Sequence, residues 1–195
     1  VTLTSGKRLR APAIVVACGL GANGLLGENW LRPKKGQLAI TDRYGPLLHH
    51  QLVELGYGAS AHGGGTSVAF NVQPRPTGQL LIGSSRQFDH SERQLDLPLL
   101  AQMLDRARHF LPPLAGLNII RCWSGFRAAS EDGNPLIGPH PSRPGLWLAL
   151  GHEGLGITTA PASAALLVAQ LLGERSPLAP DAWLPARLLK KEAIA

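Results

Sequence analysis

The stretch Gly145–Pro161, GLWLALGHEGLGITTAP, decides the fold expected for this chain of 195 residues. Leu146–Leu150 is an apolar run of strand length, and the glycine-rich turn Gly151–Gly156 follows it directly. Gly156–Leu172 is rich in alanine and leucine, which favour a long helix. A helix N-terminus presents free N–H groups and a partial positive charge, and glycines let a flat or anionic ligand approach the backbone. The pattern therefore predicts either a ligand-binding turn or an ordinary strand–helix connection.

Upstream of this stretch, Arg127 ends the run Arg121–Arg127 and precedes the polar turn Ser130–Asn134. The planar guanidinium group of an arginine binds a carboxylate through two parallel hydrogen bonds. Arg127 is therefore a candidate for binding a carboxylate-bearing ligand. The alternative, which is the more common situation for an arginine, is a surface ion pair with Glu131 or Asp132.

A second glycine-rich turn lies near the beginning of the chain, in Ala11–Gly27, APAIVVACGLGANGLLG. After the predicted strand Ala13–Cys18, the residues Gly19–Gly24 have the spacing G-x-G-x-x-G. This spacing indicates a dinucleotide-binding turn only when a helix follows and an acid lies about 20 residues further on. Asp42 meets the second condition, but the eight residues between the motif and Pro33 include further poor helix formers. We therefore predict a strand and a turn here, and no phosphate-binding motif.

The other segments predict short strands and one more helix, so the fold class is mixed α and β. The predicted elements are a hairpin at Val1–Arg10, strands at Gly36–Thr41, Gly65–Val72, Gly78–Ser84 and Ile119–Trp123, and a helix at Asp96–Leu111. Because a proline-rich turn joins Gly65–Val72 to Gly78–Ser84, these strands suggest an antiparallel meander.

Composition limits the classes of function. Hydrophobic residues make up 44% of the chain and charged residues 16%, which is enough for a packed core, while 23 glycines and 16 prolines predict many short elements. The net charge of +6 is scattered over short basic groups rather than concentrated in one patch. We therefore expect an anionic small-molecule ligand rather than nucleic acid.

The cysteines and the termini suggest the cellular context. Cys18 and Cys122 lie in apolar runs, as expected of buried thiols in a reducing compartment. No cluster has the spacing of a zinc site, and we expect no bound metal. We also expect no membrane-spanning stretch and no signal peptide. Because the chain begins at Val1 and its single methionine is Met103, we expect a fragment, a processed product or a subunit.

In their order along the chain, these motifs resemble the C-terminal part of the D-amino-acid oxidase, glycine oxidase and sarcosine oxidase superfamily of FAD-dependent amine oxidoreductases. The resemblance covers nearly the whole chain. It is carried by Arg32–Gln37 (RPKKGQ), Gly78–Gly83 (GQLLIG), Gly125–Arg127 (GFR), Asp132–Gly138 (DGNPLIG), Gly145–Leu146, Gly151–Gly156 and the helix that includes Ala160–Pro161.

The resemblance implies a Rossmann-like FAD domain, present in part, and a substrate domain built on an antiparallel sheet. Residues 1–31 and 117–173 would belong to the FAD domain, residues 32–116 to the substrate domain, and residues 174–195 to a C-terminal tail. The phosphate-binding G-x-G-x-x-G of this family lies in an N-terminal segment, so the resemblance implies a missing N-terminal Rossmann segment or a partner subunit.

The implied reaction is oxidation, by FAD, of the C–N bond of a small amino acid to an imine. The substrate would be a D-amino acid, glycine, sarcosine or a compound of the D-hydroxyproline type. Arg127 would bind its carboxylate, and His152 is a second catalytic candidate, although a structural hydrogen bond suits its position better. Asn71 and Gln73, on one face of a predicted strand, would contact substrate or else form a solvated face. The predicted FAD contacts are Ala17, Gly19, Gly125, Gly151, Gly154, Gly156, Ile157 and Thr158.

The electron acceptor implied by the family is oxygen, a quinone or another redox protein. Some relatives carry a cation between the histidine and the last glycine of the turn, where this chain has Glu153–Leu155. This departure favours a dehydrogenase over an oxidase. The expected location is the cytoplasm, with attachment at the inner membrane face as an alternative. A non-catalytic subunit or fragment that acts as a binding module is the rival hypothesis.

Overall fold

The computed structural model describes residues 1–88, 90–176 and 178–192. In chain order its elements are β1 (Ile14–Val16), α1 (Gly21–Leu26), β2 (Arg32–Thr41), β3 (Leu52–Val53), α2 (Tyr57–His62), β4 (Ser67–Pro74), β5 (Leu80–Phe88), α3 (Leu97–Phe110), β6 (Ile119–Ala129), β7 (Leu136–Pro139), β8 (Leu146–Leu150), α4 (Gly156–Leu172) and α5 (Ala186–Glu192). Short 3-10 turns lie at Pro112–Gly116, Glu153–Leu155 and Asp181–Trp183. The chain forms two compact units, a first unit of Val1–Arg32 with Ala128–Ala195 and a second unit of Pro33–Arg127.

The first unit contains a three-stranded sheet in the order β1-β8-β7. β1 pairs with β8 in parallel, with Ile14 opposite Leu146, and β7 pairs with β8 in the antiparallel sense. Because β1 and β8 are parallel, their carboxyl ends lie at the same edge of the sheet. The turns that lead into α1 and α4 therefore begin side by side.

Successive side chains along each strand of this sheet point to opposite faces, and both faces are covered by other elements. Leu136, Leu148 and Leu150 are almost fully buried on one face, in a cluster that includes residues of α1 and α5. On the other face, Ile137 packs in a cluster with Leu166 and Leu167 of α4. Burial on both faces is typical of the sheet of an α/β protein.

Two parts of the first unit differ from the sequence prediction. The segment after Gly19 forms the six-residue helix α1, which ends at Gly27 with a left-handed φ of 71°, where we predicted only a turn. The predicted C-terminal tail forms a 3-10 turn and α5, whose Leu188 is 9% exposed. Both short helices fall below the length at which sequence alone favours a helix, so packing on the sheet stabilises them.

The second unit contains a five-stranded sheet in the order β3-β4-β5-β2-β6. The pairs β3–β4, β4–β5 and β2–β5 are antiparallel. The predicted strands that correspond to β4 and β5 pair in the antiparallel sense, as expected, and β3, which was not predicted, pairs with β4. β2 lies between β5 and β6, so the order of the strands in the sheet is not sequential. The first unit begins again at Ala128, whereas the sequence placed the boundary at residue 117. The difference arises because β6 continues to Ala129 and carries Arg127 within the second unit's sheet.

Helix α3 packs on one face of the five-stranded sheet, as its predicted apolar stripe requires. Met103 and Ala107 are 1% exposed, and they cluster with Phe70, Val72 and Ile82 of the sheet. Asp96 caps the helix, since its side chain accepts a 3.0 Å hydrogen bond from the N–H of Leu99.

One helical run in the first unit, Glu153–Leu172, is long and apolar enough to cross a membrane by length and composition alone. Its mean hydropathy is 1.6 over an 18-residue window, of which 22% is buried. The expectation that no such stretch exists was therefore wrong. A core helix of a globular protein passes the same test, so this run is weak evidence for a membrane span.

Candidate functional site

The first unit brings two glycine turns together at the carboxyl edge of its sheet. Gly151 follows β8 with a φ of +76°, and a Cβ atom there would lie 3.2 Å from the Cβ of Ser130. Only glycine combines this backbone conformation with so close a neighbour. Gly19 follows the parallel strand β1, also with a positive φ. In open α/β sheets, ligands bind at the carboxyl ends of the strands.

The helical run that follows β8 begins earlier than the sequence predicted. The 3-10 turn Glu153–Leu155 leads directly into α4, and the N–H of Leu155 already donates to the carbonyl of His152 at 3.0 Å. The first N–H groups of the run therefore belong to Glu153 and Gly154, rather than to residues from Gly156 onward. Glu153 has a φ of 49°, a conformation that favours glycine. The predicted FAD contacts Ala17, Gly154, Ile157 and Thr158 are all exposed.

His152 lies at this turn and makes a hydrogen bond within the first unit. Its Nε2 is 2.9 Å from the hydroxyl of Ser163 on α4, and its backbone forms a bridge with Ala129. Burial lowers the pKa of the imidazole, so it is neutral at neutral pH. This contact orients the ring, and a catalytic role for His152 stays a prediction.

Arg127 lies near the end of β6 in the second unit and is half-buried. Its Nη1 donates to the carbonyl of Ser85 at 3.2 Å. The guanidinium group packs over Gly36 so closely that a Cβ atom there would lie 2.5 Å from Nη1. The RPKKGQ segment therefore has a glycine where the side chain of Arg127 needs the space.

A polar cluster surrounds Tyr57 of α2 in the same unit. The hydroxyl of Ser84 donates to the Tyr57 oxygen at 3.3 Å, and the guanidinium of Arg86 lies 4.6 Å from the ring centroid. Burial raises the pKa of Tyr57, but hydrogen bonds from Ser84 and Asn71 and the charges of Arg86 and Arg127 outweigh it, so the pKa lies below its ordinary value. We call Tyr57, Asn71, Ser84, Arg86 and Arg127 the Tyr57 cluster.

The sequence predicted some of this cluster and missed the rest. Asn71 belongs to it, and Gln73 lies two residues further along β4, half-buried opposite Leu81. Gly125 is exposed on β6 in the second unit, whereas the other predicted FAD contacts lie in the first unit. Arg86 was missed because the strand was predicted to end at Ser84. The signal was the polar run Ser84–Gln87, which continues β5 and is almost fully buried.

Comparison with known proteins assigns the family. The family described as DAO, FAD dependent oxidoreductase, matches residues 1–171, and the chain belongs to it. The predictions of the superfamily, the mixed α/β fold class and FAD as cofactor are thereby confirmed.

Individual relatives are similar over most of the chain. It is 32% identical over 176 residues to glycine oxidase of Geobacillus kaustophilus, covering 87% of this chain and 42% of that protein. It is 34% identical over 164 residues to an opine oxidase subunit of Agrobacterium tumefaciens, covering 84% of this chain and 36% of that protein. The crystal structure of the Geobacillus kaustophilus enzyme superimposes with a TM-score of 0.76 at 26% identity, covering 93% of this chain and 46% of that one. The chain thus spans less than half the length of these relatives.

The residues of the first unit fit a flat, anionic cofactor such as FAD. The close packing behind Gly151 leaves no room for a side chain, and Gly154 and Leu155, at the start of the α4 run, are exposed to solvent. These features suit a ligand that contacts backbone and carries negative charge.

Proposed function

We propose that this chain provides the substrate-binding arginine and one cofactor-contacting edge of an enzyme that oxidises the C–N bond of a small amino acid to an imine. The observation that carries the proposal is the placement of Arg127, whose guanidinium packs over Gly36 and contacts Ser85 within a polar cluster. FAD, when bound, would accept the hydride that leaves the carbon bearing the amine.

Arg127 binds the substrate carboxylate in this proposal. A bidentate guanidinium–carboxylate pair fixes both the position and the plane of the carboxylate. The contacts of Arg127 with Ser85 and Gly36 hold the guanidinium before the substrate arrives. Catalysis by this residue is therefore positioning of the reacting carbon.

The start of the α4 run contacts the cofactor in this proposal. The N–H groups of Glu153 and Gly154 and the helix dipole stabilise negative charge that develops on the cofactor. The remaining proposed contacts are Ala17, Gly19, Gly125, Gly151, Gly156, Ile157 and Thr158. Asn71 and Gln73 contact the substrate. The short distance between His152 and Ser163 supports a structural role for His152 over catalysis.

The finer assignments also belong to the proposal. The substrate is a small amino acid of the D-amino-acid, glycine, sarcosine or D-hydroxyproline type, and the acceptor is oxygen, a quinone or another redox protein. Glu153 at the turn, where a cation would favour an oxidase, supports a dehydrogenase. We propose a cytoplasmic location, and no comparison supports attachment at the inner membrane face.

Substitution of Arg127 in the FAD-loaded protein that contains this chain tests the proposal. We expect Arg127→Ala to reduce kcat/KM for amino acids by at least about 30-fold, since loss of one partner of a desolvated charge pair costs about 2–5 kcal/mol. Arg127→Lys, which keeps the charge and loses the fork, should lose less. Flavin content should not change, and a simple amine without a carboxylate should be a poor substrate that is indifferent to the substitution. Normal amino-acid turnover by Arg127→Ala would contradict the carboxylate role.

A second candidate function is a binding module within a larger assembly. The similarity to a relative that is itself one component of an enzyme, the opine oxidase subunit of Agrobacterium tumefaciens, favours this alternative. Both candidate functions require a further segment or partner for tight FAD binding. Titration of the isolated chain with FAD tests this requirement against the alternative that the chain binds FAD tightly by itself. We expect a dissociation constant well above about 1 µM, and tighter binding by the isolated chain would show that no further segment is needed.

A further inference from the structure

The second unit carries a buried arginine that neither the fold nor the proposed carboxylate site accounts for. Arg86 of β5 is 3% exposed. Its Nη1 donates to the hydroxyl of Ser60 at 3.1 Å, and its guanidinium stacks on the ring of Tyr57. Its Nε is buried and has no hydrogen-bond partner in the part of the chain that the structure describes.

A buried guanidinium normally lies against a carboxylate, because an uncompensated charge in the interior is costly. Within residues 1–88, 90–176 and 178–192, no carboxylate forms an ion pair with Arg86. Glu54 is near enough for the charge of Arg86 to contribute to lowering its pKa, after the larger effect of its hydrogen bond from Arg106. Both oxygens of Glu54 are bound to Arg106, at 2.7 and 3.0 Å, so this carboxylate is already committed.

We propose that Arg86 binds a second carboxylate of the substrate, while Arg127 binds the carboxylate next to the amine. The proposal rests on the proposed function and names its substrate class: an amino acid with a second acidic group, on its side chain or on its nitrogen. The donors left on the Arg86 fork match a carboxylate oxygen in geometry and charge.

The position of Arg86 relative to Arg127 supports one ligand that contacts both. The guanidinium of Arg86 lies over the ring of Tyr57, and Nη1 of Arg127 donates to the carbonyl of Ser85, the residue that precedes Arg86 on β5. The charges of both arginines also contribute to lowering the pKa of Tyr57. The hydroxyl of Ser84 lies 3.3 Å from the phenol oxygen of Tyr57 and adds a neutral hydrogen-bonding group to the cluster. A small dicarboxylate would bring one negative charge to each of the two guanidinium groups.

A matched pair of ligands tests the proposal on the FAD-loaded protein. Iminodiacetate and sarcosine are both N-substituted glycines, and iminodiacetate has one additional carboxylate. Their binding is measured by perturbation of the flavin absorbance under anaerobic conditions, and turnover is measured separately. We expect iminodiacetate to bind about 10- to 100-fold more tightly than sarcosine, the range that charge-assisted hydrogen bonds supply.

Substitutions then assign this preference to a residue. Arg86→Gln should abolish the preference by weakening iminodiacetate binding far more than sarcosine binding, and Arg86→Lys, which keeps the charge without the fork, should reduce the preference by a smaller factor. Arg108→Gln, at an arginine that is 57% exposed on α3 and paired with Asp105, is the matched control and should keep the full preference. Thermal unfolding of each variant verifies that it is folded.

Three results would overturn the proposal. The first is that the parent protein binds both ligands equally. The second is that the preference for iminodiacetate survives in folded Arg86→Gln or is undiminished in folded Arg86→Lys. The third is that Arg86→Gln weakens the binding of sarcosine as much as that of iminodiacetate. The first result needs no variant, so it decides even if Arg86→Gln fails to fold. Failure of the proposed function is distinguishable, because Arg127→Ala would then leave sarcosine binding intact, whatever the outcome at Arg86.

Discussion

Two arginines, one in each unit, are largely withdrawn from solvent but have very different partners. The Nε and Nη2 of Arg187 in α5 donate to both oxygens of Asp132, and further bonds reach the carbonyls of Leu184 and Asn134. The buried Arg86 donates to the hydroxyl of Ser60 and stacks on an aromatic ring. The first arginine uses four of its five N–H donors within the fold, and we call it saturated, whereas the second makes one such bond and retains donors. Burial of an arginine therefore does not by itself distinguish a structural residue from a ligand-binding one; the count of satisfied donors does.

The largest expected effect is at the saturated pair. Asp132→Ala leaves Arg187, with 16% of its side chain exposed, without its carboxylate, so we expect a loss of about 3–5 kcal/mol in the free energy of unfolding. Asp132→Asn keeps acceptor oxygen and should lose less. Urea denaturation followed by circular dichroism measures both. A loss below about 1 kcal/mol for the alanine variant would place this pair with ordinary surface ion pairs.

Acid titration of the same pair should show a smaller effect. The hydrogen bond from Arg187 is the main cause that holds the pKa of Asp132 well below its usual value. A carboxylate with a lowered folded-state pKa stabilises the fold above the pKa of the unfolded state, about 3.9, and this stabilisation is lost as the pH falls towards the folded-state value. The stability difference between the parent and Asp132→Asn should therefore be constant from pH 7 to about pH 5 and shrink below about pH 4. A constant difference in acid would contradict the assignment.

At the unsaturated arginine the expected change in stability is small. Arg86→Met relieves the cost of a buried charge that has no ion-pair partner among the described residues, but it also loses the hydrogen bond to Ser60 and the contact with the ring of Tyr57. Because these effects oppose each other, we expect the free energy of unfolding to change by less than about 1 kcal/mol in either direction. Arg106→Met is the control within the same unit, because it removes the ion-pair partner of Glu54, whose side chain is 4% exposed. We expect this variant to lose about 2 kcal/mol in the free energy of unfolding. Equal losses in the two variants would remove the contrast between saturated and unsaturated arginines.

The smallest effect is on the ionisation of Tyr57. Because the charge of Arg86 contributes to lowering the pKa of this phenol, Arg86→Met should raise it. The difference in ultraviolet absorbance between each protein and its Tyr57→Phe derivative isolates the phenolate through an alkaline titration. An unchanged midpoint would show that Arg86 and Tyr57 are not electrostatically coupled.

The sequence predicted best where local pattern and tertiary packing agree. β8 and α4 have the predicted bounds, because the apolar run and the alanine- and leucine-rich segment are both strong local signals. α3 likewise lies within the predicted range Asp96–Leu111, because its apolar residues recur at helical spacing. The four-residue strand β7 was missed, since its structure depends on pairing with β8 rather than on its own propensity.

The candidate site was predictable only in part, for a similar reason. Arg127 and the Gly151–Gly156 turn lie in motifs that are contiguous in sequence. Arg86 contacts Tyr57 and Ser60 only because β5 pairs with β4 and α2 packs against that sheet. No local sequence pattern therefore predicts this contact. A polar run inside a buried strand was the available clue.

Gly36 gives the second unit an unusual mutational profile. The three atoms nearest to a methyl group at this position would all belong to the guanidinium group of Arg127, at 2.5 to 2.9 Å. The guanidinium is therefore expected to move aside at little cost to the fold. In a library of all single-codon changes, scored separately for cellular abundance and for catalysis, Gly36→Ala should remain abundant and lose activity. A sequence survey that equates harmful variation with instability would overlook this position, because its side-chain vacancy serves the arginine above it.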